Sequence, residues 1–445
     1  MAGQLDTDSL LLLHDALARM EQGFSNLPPR DSAPSGPASL RKVLLEVADR
    51  MRDNYPYFHP QYAGQMLKPP HAVARLAYAL AMWINPNNHA LDGGRASSAM
   101  EKEAVADLAR MFGWETHLGH LTSGGTMANL EALWIAGELK PGATVLASSQ
   151  AHYTHSRMSA VLKLPFESIP ADDHGRMDPA ALDERLRTGG IGTVVATLGT
   201  TAVGSVDPLP EILKLRDRYG FRLHADCAYG GYYVLADNLA APARAAYDRL
   251  SEVDSIVIDP HKHGLQPYGC GCVLFRDPKV GSHYRHDSPY TYFSSKDLHL
   301  GEISLECSRA GAAAVALWAT QRLLPLVRGG EFAWMLHDCR AAALEFHAHL
   351  KNDARYAPAF APELDIVTWA IRAASAAESS GKARAIFARA EQAGLHLALA
   401  ELPVEFFGAP WGGGGTVTAL RSVLMKPEHR GALDDIRGLL SASTA

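Results

Sequence analysis

The sequence predicts an α/β protein: a large, mostly parallel sheet with helices on both faces, followed by a smaller α+β unit. Three observations carry that expectation. Short apolar strands alternate with amphipathic helices through the middle of the 445-residue chain, the pattern of crossover-connected parallel strands. Pro325 and Gly329-Gly330 interrupt the pattern before a second set of helices and strands begins. Residues able to carry chemistry fall just past the carboxyl ends of the predicted strands, where ligands sit in open α/β sheets.

Residues 9–22 have helical spacing, with Leu10, Leu13, Leu17 and Met20 near one face. Asn26 to Ser39 is rich in Pro, Ser and Gly and reads as a linker or an arm that wraps a neighbouring subunit. A helix pattern over 40–55 ends before Pro56. Residues 1–56 are thus expected to form an N-terminal helical segment, 57–328 the large domain and 329–445 the small one. The stretch Tyr57-Phe-His-Pro-Gln-Tyr-Ala-Gly-Gln-Met66 reads either as a packed loop or as a wall of a small-molecule pocket. Ile84-Asn-Pro-Asn-Asn88 breaks an apolar helix, and a helix over 100–112 stops at Gly113. Strands are expected at 144–147, 194–198, 222–226, 256–258 and 272–275, with helices at 129–137, 153–162 and 209–219. The remainder reads as helices at 311–324, 331–352 and 382–393, strands at 366–371 and 416–424, and a helical tail.

The formal charge of −6 is ordinary, and without a dense Lys/Arg run nucleic acid is not an expected partner. The apolar runs fall short of the ~18–20 residues that a membrane span needs, and Leu10–Leu13 lacks the basic start of a signal peptide. Five cysteines fit a reducing compartment better than a disulfide framework. The chain is therefore expected to be soluble and cytoplasmic. It contains no His-Glu-x-x-His or Cys-x-x-Cys spacing, so no metal site is expected.

The chemistry gathers on a few stretches. Lys262, in Asp259-Pro-His-Lys-His-Gly264, lies between two apolar strands, and a desolvated lysine can serve as an amine nucleophile toward a carbonyl cofactor. Asp226 ends the strand that begins at Arg222. Gly124-Gly125-Thr126 enters a helix, where N–H groups, the helix dipole and a hydroxyl suit a phosphate. His152 follows another strand and could stack on a ring, with Ala228 closing the opposite face. Each feature alone has an ordinary structural explanation; their conjunction meets the demands of pyridoxal 5'-phosphate. Lys262 would take the aldehyde and Asp226 the ring nitrogen. Charges ~4 Å apart at an effective dielectric near 20 attract by about 4 kcal/mol, enough to keep that nitrogen protonated.

Thr122-Ser-Gly-Gly-Thr-Met-Ala-Asn129, His152, Leu198-Gly-Thr-Thr201, His224-Ala-Asp-Cys-Ala-Tyr-Gly230, Asp259-Pro-His-Lys262 and Ser308-Arg309 together resemble the group II pyridoxal-phosphate decarboxylases of amino acids. The resemblance extends from about Tyr57 to Leu424. It implies the aspartate-aminotransferase type of fold (fold type I), phosphate contacts from Gly125, Thr126 and His261, and Thr201 beside the cofactor. It further implies His152 stacked on the ring, Asp226 on its nitrogen and Lys262 in a Schiff base. Members of the family are typically homodimers with active sites at the subunit interface. The related enzymes carry a catalytic tyrosine in the region of His283–Lys296, which makes Tyr290 and Tyr292 the candidate proton donors. Relatives with phenylalanine there are associated with aldehyde formation, and Phe293 is adjacent. Asp259 departs from relatives with asparagine, since an acid near phosphate would repel it.

The expected substrate is a small molecule, an L-amino acid. Tyr57, Phe58, Tyr62 and Trp83 hint at an aromatic or apolar side chain, with Met66 on the same wall. Arg309 either meets substrate or ties the two domains, and Arg421 is a second candidate for such a role. A carbon–carbon lyase similar to sphingosine-phosphate lyase is the alternative, carried by Ser308-Arg-Ala-Gly311. A catalytically idle scaffold is a third reading, opposed by the intact Lys262, Asp226 and His152.

Overall fold

Val, Ile, Leu and Ala runs buried on both faces build the central strands. The computed structural model describes residues 5, 7–28, 36–89, 93–284, 300–408 and 411–444. Helices α1 (Leu10–Glu21), α2 (Pro37–Met51), α3 (Ala72–Met82) and α4 (Arg95–Met111) come first. The chain then runs β1 (Leu118–Thr122), α5 (Gly125–Leu139), β2 (Thr144–Ser148), α6 (Thr154–Val161), β3 (Phe166–Ile169) and α7 (Pro179–Arg187). It continues through β4 (Ile191–Thr197), α8 (Leu209–Tyr219), β5 (Arg222–Asp226), α9 (Ala241–Tyr247), β6 (Ser255–Ile258) and β7 (Gly271–Phe275). These seven strands form one sheet of order β1-β7-β6-β5-β4-β2-β3. Its β3, β2, β4, β5 and β6 are parallel, whereas β7 runs antiparallel to both β6 and β1.

After α10 (Gly311–Leu323) and α11 (Glu331–Lys351), a second sheet forms from β8 (Tyr356–Pro358), β9 (Ile366–Ile371), β10 (Ala398–Pro403) and β11 (Thr416–Val423). It is antiparallel, in the order β10-β11-β9-β8, and is accompanied by α12 (Ala376–Gln392) and α13 (Leu433–Thr444).

The elements that periodicity overlooks have physical reasons. In β1, Gly119 and the buried His120 interrupt the apolar run. Strand β3 is a polar edge, with only Ile169 buried. Helix α7 is set by its cap, Asp178, whose carboxylate accepts the Ala180 N–H at 2.8 Å ahead of Pro179 at the first helical position. Helix α12 starts at Ala376, earlier than expected. Ser375 accepts the Glu378 N–H at 3.2 Å, and Glu378 accepts the Ala374 N–H at 3.0 Å, close to a reciprocal capping arrangement.

The two sheets are joined by buried polar contacts. Residues 61–63 run along the small sheet: Ala63 N–H donates to His396 O at 2.9 Å, and Val423 N–H donates to Ala63 O at 2.7 Å. Arg421 on β11 reaches across to donate to Thr201 O at 2.7 Å, Ala202 O at 2.9 Å and Gly64 O at 3.1 Å. Its role is thus interior, tying the small sheet to the loop after β4.

Lys426 is buried, and its Nζ donates to Tyr62 O at 2.5 Å while lying over the Tyr62 ring. Burial, with nearby Lys68 adding repulsion, pushes its amine down to about 7 from 10.5. The unfolded chain therefore binds the extra proton between those two values, so stability should rise with pH across that window. We expect melting temperature to climb from pH 7 to 10 more steeply in the wild type than in Lys426→Met; equal slopes would refute the assignment.

Candidate active site

A cavity of about 390 Å³ opens at the carboxyl ends of β4, β5 and β6, and the α5 N-terminus and the β6–β7 turn complete its lining. The turn is tightly built. His261 N–H donates to Cys270 O at 3.1 Å and Lys262 N–H to Asp259 O at 2.9 Å. A Cβ at Gly264 would lie 2.4 Å from Tyr232 Oη and 2.6 Å from Pro260 Cα, so the residue two past Lys262 must be glycine. Lys262 lines the cavity, and its Nζ sits 3.0 Å from Asp259 Oδ2, which is itself 3.5 Å from His261 Nε2. Asp259 thus pairs with the Lys262 amine.

Asp226, at the end of β5, is buried. Its Oδ1 accepts the Ala228 N–H at 3.0 Å, and its Oδ2 is 2.7 Å from His155 Nε2 and 3.3 Å from Asn129 Nδ2. Burial favours its neutral form, but the His155 hydrogen bond and charge, with the Ala228 N–H, outweigh that and hold the carboxyl well below its usual range. Asn129 Oδ1 lies 2.9 Å from His224 Nε2, and His224 Nδ1 lies 2.9 Å from Ser255 Oγ. Burial pushes His224 down to about 3, so it is a neutral imidazole that orients Asn129. A polar chain from Ser255 to His155 therefore fixes one anionic carboxylate against the cavity.

The N-terminus of α5 supplies the opposite polarity. The N–H groups of the first turn, at Gly125, Thr126 and Met127, precede the first intrahelical donor, Ala128 N–H, which bonds Gly124 O at 3.0 Å, and all three residues line the cavity. A Cβ at Gly125 would lie 2.7 Å from Asp259 Oδ2, so any larger residue there would displace the Asp259 carboxylate. His152, Thr201, Ala228 and His261 also line the space. His152 Nδ1 lies 2.6 Å from Thr154 Oγ1, and burial lowers its pKa, which favours a neutral, flat ring.

Four residues expected near substrate do not line this cavity. Tyr62 is buried against Tyr55, Tyr57 and His396, because its strand-like segment joins the small sheet. Met66 is half-buried against the large-domain core, with its carbonyl taken by Tyr268 Oη. Trp83 caps α3 and is 61% exposed. Arg309 is committed elsewhere, 2.6 Å from both Glu101 Oε1 and Leu121 O, where it braces α4 against β1. Tyr290 and Tyr292 lie outside the described residues. Tyr57 and Phe58 line a second cavity of about 690 Å³ with Lys68, Arg75 and Tyr268, and the Tyr268 ring packs 4.8 Å from that of His261.

His155, Asn129 and His224 escaped the sequence reading. His155 stands one helical turn from His152, a spacing that suggests a shared face, but its partner Asp226 is 71 residues away. Among the described residues, Asp172, Asp173 and His174 come close enough to hold an ion, but they lie at the surface and Asp172 already binds Arg176.

An amine, a buried anionic carboxylate, a neutral imidazole and a cradle of N–H groups, set around one slot at the carboxyl edge of a mostly parallel sheet, define a class. They suit a flat aromatic aldehyde bearing a phosphate and a basic ring nitrogen, with a complement for each group. The chain matches the pyridoxal-dependent decarboxylase conserved domain over residues 28–372 and belongs to that family. It is 29% identical to an L-tyrosine decarboxylase of Enterococcus faecium, over 64% of this chain and 63% of that protein. It is 30% identical to an L-aspartate decarboxylase of Thermococcus kodakarensis, over 64% of this chain and 73% of that one. The chain thus spans less than two thirds of the length of the L-tyrosine decarboxylase it matches. The crystal structure of Oryza sativa TDC with PLP and tryptamine superposes with a TM-score of 0.79, covering 100% of both chains at 20% identity. That likeness shows the fold: the large and small sheets are those of fold type I pyridoxal-phosphate enzymes. Among the described residues no helix is long and apolar enough to cross a membrane.

Proposed function

We propose that this chain binds pyridoxal 5'-phosphate and decarboxylates an L-amino acid to its amine and CO2. The observation that carries the reading is that Lys262 and the buried Asp226 line the same cavity of about 390 Å³. Bound pyridoxal phosphate would supply an aldehyde for the substrate amine and a cationic ring that withdraws electrons from the bond to the carboxylate.

The chain's own groups do the rest. Gly125, Thr126 and His261 seat the phosphate, His152 and Ala228 confine the ring, and Thr201 stands beside it. Asp226, fixed by His155 and Asn129, keeps negative charge at the ring nitrogen. Lys262 would hold the cofactor through its aldehyde, and Asp259, 3.0 Å from its Nζ, orients the amine. Tyr290 or Tyr292 donates the proton that replaces CO2 on the α-carbon, and a positioned acid of this kind contributes about 10²–10⁴ in rate.

Two side-chain classes are supported for the substrate. Tyr57, Phe58 and Tyr268 on the second cavity favour an aromatic ring, whereas Lys68 and Arg75 on the same wall favour an acid such as aspartate. The working form is a homodimer. Leu10, Leu11 and Leu12 on α1 and Val43, Leu44 and Val47 on α2 are all at least 50% exposed, an apolar surface that a second copy would cover. All five cysteines are unpaired, in keeping with a cytoplasmic setting.

CO2 release is expected from L-tyrosine or L-aspartate in a panel of amino acids, by a species of twice the 48.0 kDa chain mass in sedimentation. Release of aldehyde and peroxide in place of amine would favour the aldehyde-forming reaction. Cleavage of a phosphorylated long-chain amine without CO2 from any amino acid would favour the lyase. Cofactor binding without turnover would leave a scaffold.

A further inference from the structure

The cavity is backed by a carboxylate that comes from the small domain. Asp365 immediately precedes β9, is fully buried, and is held by its backbone, whose carbonyl accepts the Leu424 N–H at 2.9 Å. Its side chain points at two residues of the large domain. Tyr229 Oη donates to Asp365 Oδ1 at 2.5 Å, and His263 Nε2 approaches Oδ2 to 3.2 Å. The His263 ring is wedged edge-on between those of Tyr229, at 4.8 Å, and Tyr233, at 5.2 Å.

The places of these two residues in the chain matter. His263 directly follows Lys262, and Tyr229 lies three residues past Asp226 and itself lines the cavity. One carboxylate therefore touches the neighbours of both groups on which the cofactor reading depends. Stability is a poor account of it. Burying a carboxylate is costly even when it has partners, and apolar residues of similar volume often serve as well or better. A buried charge that spans two domains and grips two active-site loops is better explained by what it positions.

We propose that Asp365 is a positioning residue: by clamping Tyr229 and His263 it sets Lys262 and the ring slot when the small domain is seated. The proposal rests on the cofactor reading above. The test uses the full chain with Asp365→Leu, Asp365→Asn and Tyr229→Phe. Three quantities are read: the pyridoxal phosphate dissociation constant from absorbance titration, kcat against KM, and the pH profile of acylation at Lys262 in cofactor-free protein, followed by peptide mass spectrometry.

Asp365→Leu should weaken cofactor binding by about tenfold or more, lower kcat more than KM, and displace the Lys262 acylation profile. Asp365→Asn, which still accepts from Tyr229 but carries no charge toward His263, should fall between. If Asp365→Leu does not fold, the asparagine and Tyr229→Phe variants carry the same comparison. Folded variants with wild-type cofactor affinity and an unmoved Lys262 profile would overturn the proposal, whatever their melting temperatures. Wild-type protein that takes up no pyridoxal phosphate would instead sink the cofactor reading, and the Lys262 profile in cofactor-free protein would still decide the clamp.

Discussion

Lys262→Ala is expected to leave a folded protein that still takes up pyridoxal phosphate but turns over amino acids at least about 10³-fold more slowly, since removing a covalent nucleophile costs that much or more. The remaining groups explain why binding should survive: the α5 N-terminus, His261 and Asp226 all line the cavity independently of the amine. The change also strands Asp259, which is almost fully buried and loses its 3.0 Å partner. An uncompensated buried charge is destabilising, so the melting temperature should fall, and Lys262→Ala/Asp259→Asn should recover part of it. Borohydride treatment of loaded wild-type protein should fix the cofactor on Lys262 and on nothing in the variant. Turnover by the variant within tenfold of wild type would remove Lys262 from the mechanism.

The second large effect belongs to Asp226. Losing a charge interaction of about 4 kcal/mol in Asp226→Asn corresponds to roughly 10³-fold in kcat/KM. Bound cofactor should also show a ring nitrogen that gives up its proton near neutral pH, visible as an absorbance change absent from wild type. The acid side follows from the direction of the shift. The folded carboxyl titrates below the unfolded value of 3.8, so its stabilising contribution is complete above that value and is lost only as pH falls through the lower, folded one. The acid limb of a wild-type activity profile between pH 5 and 7 should therefore not belong to Asp226. A variant with unchanged kcat/KM and unchanged cofactor spectrum would break the assignment.

Much of this was legible from residue order. Lys262, Asp226, His152, Gly125 and Thr126 each follow a predicted strand or open a predicted helix, and the topology of a parallel sheet then delivers them to one edge. The tentative substrate wall was not legible. Tyr62 and Met66 were grouped by proximity in sequence with Tyr57 and Phe58, yet the backbone at 61–63 pairs with the small sheet and turns Tyr62 into a packing residue. Arg309 looked available because arginine is rarely buried without a partner; its partner, Glu101, is 208 residues away. His155 is not legible as a partner of Asp226, because nothing local connects two residues 71 apart in the chain.

By itself the sequence determined the class of sheet and the family, and it named the candidates for the amine, the carboxylate and the phosphate cradle, because strand and helix periodicity and short motifs are local properties of the chain. Only the tertiary structure decided which histidine holds Asp226, that Asp259 pairs with Lys262, that Arg309 and Arg421 are braces, and that Asp365 reaches the active-site loops from the small domain. Those are pairings across many tens of residues, and whether a charge can be buried depends on which partner the fold brings within about 3 Å of it.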